Sequence, residues 1–140
     1  MNHDPLESLV RLRRLAADEA RRGLADCLRE EEATAHAVAT IEADIERETE
    51  AAANLATSDA EVEAFAAWLR RIRPIQYAAH VAEDRAEAET VRARAVLAAA
   101  RSAVEAAEEM LAKHEAARRA DAERLERHAL DEAALRCGEH

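Results

Sequence analysis

Along the first third of the chain Leu9, Leu12, Leu24, Leu28, Val38, Ile41 and Ile45, with Ala16, Ala20 and Ala35 between them, recur mostly at intervals of three and four residues. That spacing puts side chains on one narrow stripe of an α-helix. From Val62 onward a heptad register runs without a slip through Phe65, Leu69, Ile72, Gln76, Ala79, Glu83, Ala86, Thr90, Ala93, Leu97, Ala100, Val104, Ala107 and Leu111. A seam of period 3.5 predicts a left-handed coiled coil. Ala79, Ala86, Ala93, Ala100 and Ala107 fall seven apart, so methyl groups line one edge of that seam and permit close helix approach. Beyond Leu111 the same register reads His114, Arg118, Asp121, Leu125, His128, Glu132 and Leu135, mostly residues with no reason to be buried.

The punctuation of the pattern divides the chain into two helices. Asp4 followed by Pro5 suits a helix N-cap with proline at the first helical position, where its missing N–H costs nothing. Helix 1 is expected over about residues 5–54, a turn over about 55–60, and helix 2 over about 61–137. Ser58 with Glu61 three residues later has the form of a capping box ahead of Val62 and Phe65. Folding back about a turn near residue 57 sets residue i roughly opposite 114 − i, so that helix 1 ends opposite Leu111, where the seam of helix 2 turns polar. The expected fold is all-α: one long antiparallel two-helix coiled-coil hairpin with a C-terminal helical overhang. At about 1.5 Å per residue the helices are roughly 75 Å and 120 Å long and the overhang about 40 Å. Pro74 interrupts the register, and two readings stay open: a kink in helix 2, or a short helix over 58–73 with Pro74 starting the long one.

Composition sharpens this picture. Phe, Trp and Tyr occur once each, and Gly and Pro twice each, among 140 residues. Few large side chains are available for a thick core. The 49% hydrophobic content argues against disorder, although much of it is alanine. The longest apolar runs, 64–69 and 95–100, fall far short of the roughly 18 residues of a membrane span. The opening Met-Asn-His-Asp lacks a signal-peptide pattern, so a cytoplasmic protein is expected. Cys27 and Cys137 stand far apart without a CxxC partner, which argues against a structural disulfide or zinc site.

The net charge is −10, and it is concentrated: residues 30–63 hold eleven Asp or Glu opposed by Arg47 alone. Such a patch repels nucleic acid and anionic lipid and steers a basic protein surface toward itself. Catalytic chemistry is missing from the pattern. His114-Glu115 begins a HExxH-like run, but Arg118 occupies the place of the second ligand. Gly23 and Gly138 cannot make a phosphate-binding loop. No cofactor or metal is expected, and the chain reads as non-enzymatic. Arg11, Arg13 and Arg14 form a small basic cluster whose methylenes can cover the seam; a nucleic-acid interface would need aromatics or many more basic residues beside it. Phe65 and Trp68 lie together just past the turn, either plugging the hairpin end or forming a docking hot spot.

The opening Leu6-Glu7-Ser8-Leu9, then Leu12 and Asp18-Glu19-Ala20-Arg21-Arg22-Gly23-Leu24, the Phe65-Ala66-Ala67-Trp68-Leu69 run and Leu130-Asp131-Glu132 resemble, in order and spacing, the FliJ/YscO family of flagellar and type III secretion export machines. The resemblance covers most of the chain. It implies a fold similar to the stalk of the rotary ATP synthase gamma subunit, with the paired termini entering a hexameric export ATPase and the turn end facing the cytoplasmic domain of the membrane-embedded export gate. Carried over by spacing, the gate-contacting positions become Phe65, Leu69, Ile72 and Gln76, joined by Trp68 and by Val38, Ile41 and Ile45 on helix 1. Helix 1 is aliphatic or acidic near the turn where some relatives carry aromatics, a departure that bears on those individual contacts. The ATPase-facing set becomes Arg11, Arg13 and Arg14 with Arg118, Arg119, Arg124 and Arg127 of the tail. Export chaperones are further expected partners, with a location in the cytoplasm at the export apparatus. The competing expectation is a helical-hairpin chaperone or structural adaptor that clasps client proteins or dimerises.

Overall fold

The computed structural model describes residues 4–55 and 58–139. Met1 to His3, His140, and Ala56 and Thr57 of the expected turn lie outside the described residues. The chain is two long α-helices packed against each other, α1 (Pro5–Leu55) and α2 (Asp59–Gly138), with no strand among the described residues. It is an all-α helical hairpin.

Each helix starts on a side-chain cap. The Leu6 amide donates to Asp4 Oδ1 at 2.9 Å and the Ser8 amide to the Asp4 carbonyl at 3.2 Å, with Pro5 at the first helical position. The Glu61 amide donates to Ser58 Oγ at 3.3 Å, and the Val62 amide to the Ser58 carbonyl at 3.3 Å. These bonds satisfy amides that would otherwise lack partners at a helix start. Pro74 lies inside α2. It does not start a helix, so residues 58–73 are the first part of α2 rather than a separate element.

Both helices pass through two compact units, Met1–Asp18 with Ala98–His140 and Glu19–Leu97. In Glu19–Leu97 the helices run antiparallel: the Thr90 hydroxyl donates to its own Ala86 carbonyl at 3.1 Å and reaches the Cys27 carbonyl of α1 at 3.4 Å, and His80 Nε2 meets Glu42 Oε1 at 2.9 Å. Residue i therefore faces about 117 − i at the closest backbone approach, one turn of helix away from the register expected for a turn centred on residue 57. The reason lies at the hairpin end. Val62 is exposed, and burial on α2 begins at Phe65 opposite Ala52, so the first turn of α2 projects past its pairing.

On α2 every heptad position from Phe65 to Leu111 is buried or half-buried. On α1 the seam differs from the stripe drawn from apolar identity. Leu12, at 63% exposure, and Leu28, at 42%, face solvent. So do Ala16 and Ala35. The seam instead holds Val10, Ala17, Leu24, Glu31, Val38, Ile45 and Ala52, seven apart, with Leu6, Ala20, Cys27, Thr34 and Ile41 between them. A strict heptad on α2 can stay in contact only with a strict heptad on α1, and the summed fit of all the layers outweighs two misplaced leucines.

Three successive layers of Glu19–Leu97 consequently contain no large apolar side chain: Cys27 with Thr90, Glu31 with Ala86, and Thr34 with Glu83. Thr34 and Thr90 are buried, and each satisfies its hydroxyl on the preceding turn, Thr34 through Glu30 and Glu31 carbonyls at 3.0 Å. Glu31 Oε2 is buried without a hydrogen-bond partner. Leaving such an oxygen unsatisfied costs on the order of 1–3 kcal/mol. Glu31→Leu should therefore raise stability by roughly 1 kcal/mol or more, seen by circular dichroism as a higher thermal midpoint; a lower midpoint would show that the carboxylate has a stabilising partner.

In the other unit, Val10 and Ala17 at 4% exposure, with Ala107 at 2%, form the core. Arg14 spans the helices, donating from Nη2 to Glu108 Oε1 at 2.8 Å. The cap residue Asp4 lies 3.9 Å from His114 and 4.0 Å from Arg118. From Ala112 to Glu139 every residue is exposed.

Candidate functional site

At the last seam layer of Glu19–Leu97, Ala52 with Phe65, the two helices leave an open groove. Glu48, Thr49, Ala51, Ala52 and Ala53 of α1 and Glu61, Val62, Ala64, Phe65 and Trp68 of α2 line it, enclosing about 650 Å³. Phe65 occupies a seam position and Trp68 the position before the next one. Their rings stack with centroids 6.2 Å apart and planes 21° apart, within the range of favourable aromatic pairing. The floor is apolar and the rim carries the Glu48 and Glu61 carboxylates. Such a groove accepts an apolar side chain from a basic segment.

The other gate-facing candidates sit differently. Val38 is 7% exposed. Ile41, Ile45, Leu69, Ile72 and Gln76 are half-buried in the same seam. These six side chains hold α1 to α2, and only Phe65 and Trp68 of the set line the open groove. The groove residues that sequence reasoning missed, Glu48, Thr49 and Ala51 to Ala53 on α1 with Glu61, Val62 and Ala64 on α2, carry one legible signal: they flank the turn on both sides.

The arginine candidates fall in Met1–Asp18 with Ala98–His140 and do not form one cluster. Arg14 is engaged with Glu108, while Arg11 and Arg13 are exposed. Arg13 falls at a seam position by spacing and is nevertheless exposed. Arg118 approaches Asp4, Arg124 pairs with Asp121 one turn back, and Arg119 and Arg127 are exposed. Acids alternate with these arginines along the tail, so its surface is mixed in sign. Leu125, Leu130 and Leu135 are 65–71% exposed there.

Among the described residues no three of His, Cys, Asp and Glu converge to hold a metal ion, and no helix is long and apolar enough to cross a membrane. Cys27 is half-buried and Cys137 exposed, both as free thiols.

The family described as flagellar FliJ protein matches residues 1–139. The chain belongs to the FliJ family. No curated protein and no solved structure matches it. FliJ membership makes the hairpin a component related to flagellar export, in a family of non-catalytic proteins. In this FliJ chain two surfaces stand out as candidates: the aromatic groove beside the turn and the exposed helical tail from Ala112 to Gly138.

Proposed function

We propose that the protein is a non-catalytic central-stalk component of the flagellar protein export apparatus, acting in the cytoplasm. The tail of α2 and the start of α1 insert into the hexameric export ATPase. The groove of Phe65 and Trp68 engages the cytoplasmic domain of the export gate. The observation that carries this reading is the boundary at Leu111 in a chain whose family match runs end to end. A helix that continues through residues 112–138 with no buried side chain has no seam of its own chain to pack on, whereas most helical stability in proteins comes from packing an amphipathic face. A partner that surrounds the tail supplies the missing contact.

A helix inside a six-membered ring touches successive subunits unequally, and unequal contact biases which subunit is held in the hydrolysis-competent state. The mixed-sign surface of Arg118, Arg119, Arg124 and Arg127 among acids suits transient contact with several subunits rather than tight binding to one. The acidic segment 30–63 repels anionic lipid and favours a basic partner surface at the turn. Export chaperones fit as further partners of the same exposed helices.

The test is turnover of the purified cognate export ATPase with and without the full chain. Stimulation that saturates with added protein is expected. A turnover unchanged at all ratios, with the protein folded, rules the stalk reading out.

A further inference from the structure

Both flanks of the hairpin seam within Glu19–Leu97 expose apolar residues, Leu28, Tyr77 and Val91 on one of them, but the flanks differ in cross-helix pairing and in grooves. With the seam lettered a and d, the flank that follows each d position carries Glu42 and His80, which meet across the helices at 2.9 Å. The opposite flank, one residue before each a position, carries Gly23, Glu30, Ala37, Asp44 and Ala51 on α1 and Glu61, Trp68, Ile75, Ala82, Glu89 and Val96 on α2. Ile75 is 53% exposed and Val96 is 59% exposed. Trp68, Ile75, Ala82 and Val96, interrupted by Glu89, make an apolar line at heptad spacing of the kind a further coiled-coil helix packs on.

Two open grooves lie on this same flank. One is the groove beside Trp68. The second, of about 420 Å³, is lined by Asp26, Cys27, Glu30, Ala82, Arg85, Ala86 and Glu89. About 20 residues of α2 separate their centres, roughly 30 Å of helix. Both have apolar floors with acidic rims: Glu48 and Glu61 at the first, and Asp26, Glu30 and Glu89 against Arg85 alone at the second.

From the spacing, the grooves and the rim charge together we infer that this flank docks a third helix, a basic amphipathic helix of a partner protein that lies along the hairpin across both grooves. Its apolar face, repeating every seven residues over about three to four heptads, meets Trp68, Ile75, Ala82 and Val96. Its lysines or arginines meet the acidic rims, which guide encounter and set orientation. On α1 the small residues Gly23, Ala37 and Ala51 alternate with Glu30 and Asp44, leaving room for that helix between acidic side chains that face its lysines or arginines. The flank shares the Trp68 groove with the proposed gate contact and extends beyond it to Val96, so the inferred helix is separated from a contact at the turn groove alone by Ile75 and Ala82.

Trp68 is the only tryptophan, so its emission reports the flank directly. The probe is a tryptophan-free 28-residue helical peptide with leucine at both seam positions of each heptad and lysine beside them; its twin carries glutamate in place of lysine. The lysine peptide should shift Trp68 emission saturably, bind at least tenfold more tightly than the twin, and weaken with salt. The double variant Ile75→Arg with Ala82→Arg should weaken binding at least tenfold with the helical circular dichroism signal unchanged. Val91→Arg, on the other flank, should leave it unaltered. Equal binding of both peptides, no saturable shift, or equal loss in Val91→Arg overturns the inference. Full-strength binding to the double variant also overturns it, and leaves the turn groove standing as a separate contact.

Discussion

Truncation after Leu111 should abolish stimulation of the cognate export ATPase while leaving the hairpin's unfolding transition in place. None of the residues from Ala112 to Glu139 is even half-buried, so the cut removes no seam layer. What it removes from folding is the approach of His114 and Arg118 to Asp4, at 3.9 and 4.0 Å. Contacts of that length from the half-exposed His114 and exposed Arg118 to the largely covered Asp4 contribute on the order of 1 kcal/mol. The functional loss, by contrast, should be complete, because the tail is the part proposed to sit inside the ring. Turnover assays and thermal melts of the truncated and full chains check the two halves together. Stimulation that survives truncation would take the tail out of the mechanism, and a collapsed melt would make it part of the fold.

The second large effect is at the turn. Trp68→Ala should weaken binding to the cytoplasmic domain of the export gate by about 30-fold, the equivalent of roughly 2 kcal/mol for a hot-spot tryptophan. Its effect on the melting transition should be small, since Trp68 borders the groove rather than filling the seam. Leu69→Ala is the matched contrast. Its side chain packs between the helices, so its removal should lower hairpin stability, with about 2 kcal/mol as the scale for a leucine in a core, and change gate affinity less. Titration calorimetry with melts of both variants separates docking from packing. If Trp68→Ala destabilises the hairpin and leaves gate binding intact, the aromatic pair is a plug for the hairpin end.

How far the sequence revealed this arrangement depends on the helix. On α2 the heptad was plain, because its seam residues recur at three and four without a slip and become polar where burial ends. On α1 the leucines misled. Leu12 and Leu28 were counted as seam because they are apolar, while Glu31, Thr34 and Cys27 were not because they are polar or small. The line Val10, Ala17, Leu24, Val38, Ile45 and Ala52 was present in the sequence, and only the partner helix makes it the preferred one. The candidate site shows the same divide. Phe65 and Trp68 were legible because aromatics are so scarce in this chain. Leu69, Ile72 and Gln76, expected gate contacts by family spacing, are half-buried at seam positions between the helices. The flank of Trp68, Ile75, Ala82 and Val96 becomes meaningful only once the other flank is seen to carry the Glu42 to His80 pair.

The proposed mechanism assigns the tail and the turn groove to different partners, and site-specific photo-crosslinking measures that assignment directly. A benzoylphenylalanine replaces either His128 in the tail or Ala67 beside the turn groove, and each chain is mixed with the cognate ATPase hexamer. The account predicts an efficient crosslink to the ATPase from position 128 and none from position 67. A crosslink from 67 with none from 128 would contradict it.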